Sequence, residues 1–182
     1  SDKFRNRCWS SYPSNLCARA LARCQFSSRF RRCRRVHSGA NITMIEAEHF
    51  VASASRRGFD FYSGVPCSFL TPFINYIIDS KKLRYITAPN EGDAVAVAAG
   101  AFIGGRRAVA MMQNSGIGNA VNPLTSLTHT FQIPVLLICT HRGAPGVRDE
   151  PQHNLMGDIT NQLLDTIKVT HSPFPKHKSD IK

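Results

Sequence analysis

No apolar run in these 182 residues approaches the roughly 20 needed to cross a bilayer as a helix. The six cysteines include no C-x-x-C pair, which excludes the usual zinc-knuckle spacing. A G-x-x-x-x-G-K-[ST] phosphate loop is missing. Gly116-Ile117-Gly118 lacks the third glycine of a dinucleotide fingerprint, because Val121 stands in its place. Acids are scarce at one end: residues 1–42 hold ten Lys and Arg against Asp2 alone. Residues 43–182 hold thirteen Lys and Arg against eleven acids. Of the formal charge of +11, +9 therefore belongs to the leader and +2 to the rest. The nucleic-acid or membrane-phosphate partner that such a charge would suggest is not expected of the remainder.

The leader, residues 1–42, is rich in Arg, Ser and Cys and contains Arg31-Arg32-Cys33-Arg34-Arg35. Three readings stay open: an organelle transit peptide, an unstructured basic tail, or translated sequence upstream of a start at Met44. The expected location is the cytoplasm, or an organelle if the leader targets one. Ser rather than Met stands first, which predicts a fragment or a processed product. Four cysteines, Cys8, Cys17, Cys24 and Cys33, lie in this leader. No disulfide framework is expected, because an apolar α/β domain of this size needs no staples. Cys67 and Cys139 are expected as free thiols, Cys139 in the core.

Residues 43–169 read as one α/β domain, and 170–182 as a polar C-terminal tail. A first helix is predicted over Thr43–Arg57, with Thr43 and Glu46 as a capping box. Phe59–Tyr62 is the first strand. Ser63-Gly64-Val65-Pro66-Cys67-Ser68 turns into a helix over Phe69–Ser80, whose Phe69, Leu70, Phe73, Tyr76 and Ile77 form a core-facing stripe. Further on, Gly118–His129 reads as a helix. Val135–Cys139 reads as a strand buried on both faces. Thr140–Met156 is a long loop, of a length that tends to be functional or disordered. Asp158–Ile167 is the last helix.

The stretch from Arg84 to Asn122 organises the rest. Tyr85-Ile86-Thr87 is a strand stopped by Pro89. Asn90 is a helix cap, with Glu91 and Asp93 in the first turn, where the dipole favours negative charge. Ala94–Ala101 is almost all Ala and Val, with Gly100, which suits close packing on another backbone. Gly104-Gly105 ends the helix. Val109–Met112 is the next strand, and Gln113-Asn114-Ser115-Gly116-Ile117-Gly118-Asn119 is a polar turn after it. This is a βαβ unit with its loops at the carboxyl ends of the strands. From position alone Glu91 is either a dipole-stabilising acid or a shielded carboxyl that can share a proton. The Gly-rich turn is either a tight turn capped by Asn119 or a backbone that a ligand approaches closely.

Five blocks in order carry a resemblance: Gly64-Val65-Pro66-Cys67-Ser68, Asn90-Glu91-Gly92, Met112 to Asn119, His141-Arg142-Gly143, and Asp149-Glu150-Pro151-Gln152-His153. Together the segment resembles the pyrimidine-binding domain of thiamine-diphosphate-dependent 2-oxo acid decarboxylases. Within these it is similar to phosphonopyruvate decarboxylases and to the alpha subunits of sulfopyruvate decarboxylases. The resemblance implies a three-layer α/β/α fold with a mainly parallel sheet. It implies that Glu91 is catalytic, with its carboxyl on the aminopyrimidine ring nitrogen of thiamine diphosphate, and that Asn114 and Gly116 contact the cofactor. Ser68 and Cys67 would reach the substrate. Cys at position 67 is the sulfopyruvate pattern, whereas Asp149 to His153 follows the phosphonopyruvate one. Arg142 would pair with a phosphonate or sulfonate, or else bridge to neighbouring acids. His141 is a further partner for such an anion. His153 is expected at the surface.

Family members hold the diphosphate through Mg2+ in a second domain marked by Gly-Asp-Gly. Here Gly157-Asp158-Ile159 is not that motif, and no other candidate exists. The resemblance thus implies no metal ligands in this chain, a partner domain or subunit that carries them, and an oligomer. The competing expectation is a non-catalytic domain that kept the fold without the metal half.

Overall fold

A computed structural model describes residues 45–181. The leader, its cysteines and the proposed Thr43 cap lie outside the described residues. Four strands, β1 (Phe59–Gly64), β2 (Arg84–Thr87), β3 (Arg107–Met112) and β4 (Leu136–Cys139), form one sheet in the order β2-β1-β3-β4. All pairs are parallel, with Gly64 opposite both Thr87 and Met111, and Met112 opposite Cys139. Parallel neighbours require crossovers. Helix α2 (Thr71–Asp79) links β1 to β2, and α3 (Glu91–Ile103) carries the chain back to β3 on the other side of β1. The direction of travel reverses between β1 and β3, so the crevice for a ligand opens where the loops after those strands part.

Period-two alternation sends β3 side chains to opposite faces. Ala108, Ala110 and Met112 join Val95, Ala98, Ile117, Ala120, Leu164 and Ile167 on one side. Val109 and Met111 join Val51, Tyr62, Leu70, Phe73, Ile74 and Ile77 on the other. Helices α3, α4 (Ile117–Asn122) and α5 (Pro151–Thr166) thus cover one face, and α1 (Ala47–Arg56) and α2 the other. The result is the expected three-layer α/β/α arrangement. The small side chains of α3 let it lie against β1, where the buried Ser63 hydroxyl donates to the Ala94 carbonyl at 2.6 Å.

Several elements differ from the sequence reading. Helix α1 starts at Ala47, with Glu46 extended at the cap position and no side-chain cap bond. Gly100 faces open space and serves no close contact. Phe69 is exposed, and Leu70 is buried in the 3-10 turn before α2, so the core stripe of α2 itself begins at Phe73. Helix α4 starts at Ile117 and widens into a π-turn over Pro123–His129. Pro123 has no N–H to continue the α ladder. The Thr125 hydroxyl donates to the Val121 carbonyl at 2.8 Å there. Strand β4 forms an edge of the described sheet, and only its Ile138 is buried, so it is not covered on both faces. Helix α5 starts seven residues earlier than expected, at Pro151, because proline fits the first helical position, where no N–H is needed. In the C-terminal segment Phe174 packs against Phe50 and Phe73, with ring centroids 4.8 and 5.6 Å apart.

Candidate active site

The carboxyl ends of the strands gather two side-chain groups, joined by the turn after β3. The first is built on Glu91. Asn90 caps α3, its side-chain oxygen accepting from the Asp93 N–H at 3.0 Å. This fixes Glu91 as the first helical residue, half-buried at the end of β2. The Asn119 amide donates to Glu91 Oε2 at 2.8 Å, and Oε1 has no hydrogen-bond partner among the described residues. Gly116 closes over the acid. A β-carbon there would stand 2.2 Å from Glu91 Cγ and 2.4 Å from Oε1. Gly92 presses on the same turn, since its β-carbon would meet the Asn119 carbonyl at 2.8 Å. The residue types of the Gly-rich turn are thus set by a side chain lodged against its backbone.

The second group centres on Asp149. Arg142 grips it side-on, Nε to Oδ2 at 2.7 Å and Nη2 to Oδ1 at 2.5 Å. The backbone N–H groups of Gly143 and Glu150 donate to it at 2.9 and 2.8 Å, and His153 Nδ1 lies 3.0 Å from Oδ1. The Arg142 hydrogen bonds, aided by those from Glu150, His153 and Gly143, hold the Asp149 carboxyl well below the usual carboxylate range. The carboxylate in turn raises the pKa of Arg142. The Arg142 guanidinium carbon sits 4.4 Å from the centroid of the Phe69 ring, a cation–π arrangement. His153 is largely buried, its side chain 13% exposed, rather than at the surface. His141 Nε2 lies 2.8 Å from the Gly157 carbonyl.

Asn114 ties the groups together. It is fully buried, and its side chain mimics a peptide partner for Arg142: Nδ2 donates to the Arg142 carbonyl at 2.9 Å, and the Arg142 N–H donates to Oδ1 at 3.1 Å. Nδ2 also reaches the Thr160 hydroxyl at 3.0 Å. Asn114 therefore fastens β3 to the loop after β4 and to α5, while Gly116, two residues on, faces Glu91. Cys67 is half-buried beside Gln113, with Sγ 3.6 Å from Oε1, and Ser68 is exposed. Cys139 is a half-buried thiol pushed up to about 12 by burial, with Cys67 adding to the shift. The Thr140 hydroxyl is buried without a hydrogen-bond partner among the described residues.

A family model, the thiamine pyrophosphate enzyme, N-terminal TPP binding domain, matches residues 44–164. The chain belongs to this thiamine pyrophosphate enzyme family. As a TPP binding domain it is 52% identical over 132 residues to a phosphonopyruvate decarboxylase of Streptomyces viridochromogenes, covering 72% of this chain and 33% of that protein. It is 38% identical over 114 residues to a sulfopyruvate decarboxylase subunit alpha of Methanococcus maripaludis, covering 63% of this chain and 68% of that protein. The chain thus spans about one third of the phosphonopyruvate decarboxylases it matches. Among the described residues of this TPP binding domain, no three His, Cys, Asp or Glu side chains gather as metal ligands. No described helix is long and apolar enough to cross a membrane.

The site residues fall into place unevenly. Glu91 and Gly116 are in contact, and Cys67 and Arg142 stand in the loops after β1 and β4. Asn119, Asp149 and Phe69 were not singled out by the sequence. Asn119 lies in the same Gly-rich turn and read as a cap. Phe69 read as core. Asp149 stood in a motif block, and the bridge from Arg142 to a neighbouring acid, one of the two alternatives left open by the sequence, is formed with it.

Proposed function

We propose that this chain is the pyrimidine-binding half of a thiamine-diphosphate-dependent decarboxylase acting on a 3-substituted pyruvate, most directly phosphonopyruvate, giving phosphonoacetaldehyde and CO2. The observation that carries this is the state of Glu91. One carboxylate oxygen is fixed by Asn119, the other has no partner among the described residues, and a glycine backbone fills the space where a side chain would shield it. A carboxyl so prepared fits the ring nitrogen of an aminopyrimidine. When bound, thiamine diphosphate supplies the ring that takes up the electron pair released as CO2 leaves.

In this reading Glu91 holds a proton at the aminopyrimidine nitrogen, and Asn119 keeps the acid from swinging away. Gly116 brings the turn to the cofactor. Asn114 contributes through the backbone of that turn, since its side chain is committed to Arg142 and Thr160. Ser68 and Cys67, after β1, and Arg142, after β4, meet the substrate. Mg2+ and its ligands belong to a partner domain or subunit, and the working enzyme is an oligomer.

Sulfopyruvate as substrate is the second reading, favoured by Cys67 and by the alpha-subunit relative of which this chain covers 68%. The test is calorimetric titration of the chain with thiamine diphosphate and Mg2+, alone and with a Gly-Asp-Gly partner, alongside CO2 release from each oxo acid. Expected are weak binding alone, tight binding with the partner, and CO2 from one of the two. No CO2 from either substrate would leave a non-catalytic domain as the answer.

A further inference from the structure

Arg142 is held in place by neighbouring side chains. Its Nε and Nη2 engage Asp149, and its Nη1 makes no hydrogen bond among the described residues. The guanidinium lies over the Phe69 ring, and its side chain is only 16% exposed. The loop that carries it is pinned below. Gly143, at φ +69°, takes a backbone conformation that a side chain would strain, and a β-carbon on it would meet the His153 carbonyl at 2.2 Å. A β-carbon on Gly157 would lie 1.7 Å from the Gly143 carbonyl, so loop and α5 touch backbone to backbone. A planar cation with one edge neutralised and the other edge free is a fork set for an anion.

We propose that Asp149 and Phe69 are positioning residues for an anion subsite: they fix Arg142 so that its free edge takes the phosphonate or sulfonate on C3 of the substrate. This rests on the decarboxylase reading for the identity of the substrate. Asp149 sets the rotation of the guanidinium through two parallel bonds, and Phe69, from the turn after β1, sets its tilt. The turn that carries Cys67 and Ser68 is thereby coupled to the loop after β4. Discrimination between a substituted and a plain oxo acid follows from this pair, because both act through Arg142: Asp149 through its two hydrogen bonds and Phe69 through its ring face.

Binding to the full chain tests it without cofactor or turnover. The probes are 3-phosphonopropanoate, 3-sulfopropanoate and butanoate, which shares the carboxylate and lacks the second anion. Wild type is expected to bind one of the first two at least tenfold more tightly than butanoate. Asp149→Asn should lose that preference about tenfold, and Phe69→Leu about threefold, with butanoate unchanged. Circular dichroism reports folding, and if Asp149→Asn fails to fold, Phe69→Leu decides. Wild type without preference for either dianion, or folded variants that keep the full preference, would overturn the subsite. CO2 release is assayed separately with the metal-binding partner. Selective anion binding without CO2 leaves the subsite standing and sinks the decarboxylase reading. CO2 release with variants indifferent to the second anion does the reverse.

Discussion

Gly116 stands so close to Glu91 that a β-carbon on the glycine would overlap the acid's Cγ, Cδ and Oε1, at 2.2 to 2.4 Å. Its backbone is ordinary, since Gly116 sits in the right-handed helical region at φ −73°. The requirement for glycine is therefore one of space alone. Gly116→Ala is expected to push Glu91 out of place and cut CO2 release by at least a hundredfold, while costing about 1–3 kcal/mol of stability as an overpacked site. Steady-state assay with the partner, together with thermal melting, measures both. Retained turnover in a well-folded variant would show that Glu91 tolerates displacement.

Glu91→Gln keeps the shape and the Asn119 contact geometry but removes the proton-sharing carboxyl. Turnover is expected to vanish with the melting temperature nearly unchanged, since Glu91 is only half-buried and glutamine has the same shape. Near-normal CO2 release by this variant contradicts the catalytic assignment.

The Asp149 carboxyl is depressed well below the unfolded value of about 4. A depressed carboxylate contributes stability that is present above its unfolded pKa and is lost as pH falls toward the folded one. Asp149→Asn should therefore melt below wild type at pH 7, and the gap should narrow at pH 3. An equal gap at both pH values would mean that the charge of Asp149 is not what holds the loop.

Lys168 follows α5 in the left-handed region at φ +62°, with its N–H on the Asp165 carbonyl and that of Val169 on Leu164, the Schellman pattern. A side chain there carries a penalty of about 1 kcal/mol that glycine avoids. Lys168→Gly is expected to raise the unfolding free energy by roughly that amount in urea titration. A loss of stability would place value on the lysine side chain itself.

Burial pushes the Cys139 thiol up to about 12, so almost none of it is thiolate at pH 8. Native protein treated briefly with iodoacetamide at pH 8 should leave Cys139 unmodified, read peptide by peptide in a mass spectrometer. Rapid labelling of Cys139 would show that its surroundings open to solvent.

The strands, the Asn90 cap and the Ala-rich helix were legible because each is written locally, in periodicity and in capping chemistry. The early start of α5 was missed at Pro151, where the acids and glycines before it masked a proline well suited to a first helical turn. Phe69 was misread because a helical stripe does not say where the helix begins. The edge position of β4 was hidden, since an apolar run looks the same at the rim of a sheet as at its centre.

What the sequence determined by itself is the βαβ pattern around Asn90, the Ala-rich helix and the five motif blocks, while Glu91 was singled out only through the family resemblance those blocks carry. Those depend on neighbours within a few turns of chain. Only the tertiary structure decided that Asn119 holds Glu91, that Asn114 faces inward to Arg142 and Thr160, which acid takes the Arg142 bridge, and that Phe69 lies against the guanidinium. The Arg142–Asp149 bridge closes within one loop, but the other contacts join elements brought together by the reversal of the chain between β1 and β3 or by the loop seated on α5. Spacing along the chain does not encode that kind of proximity.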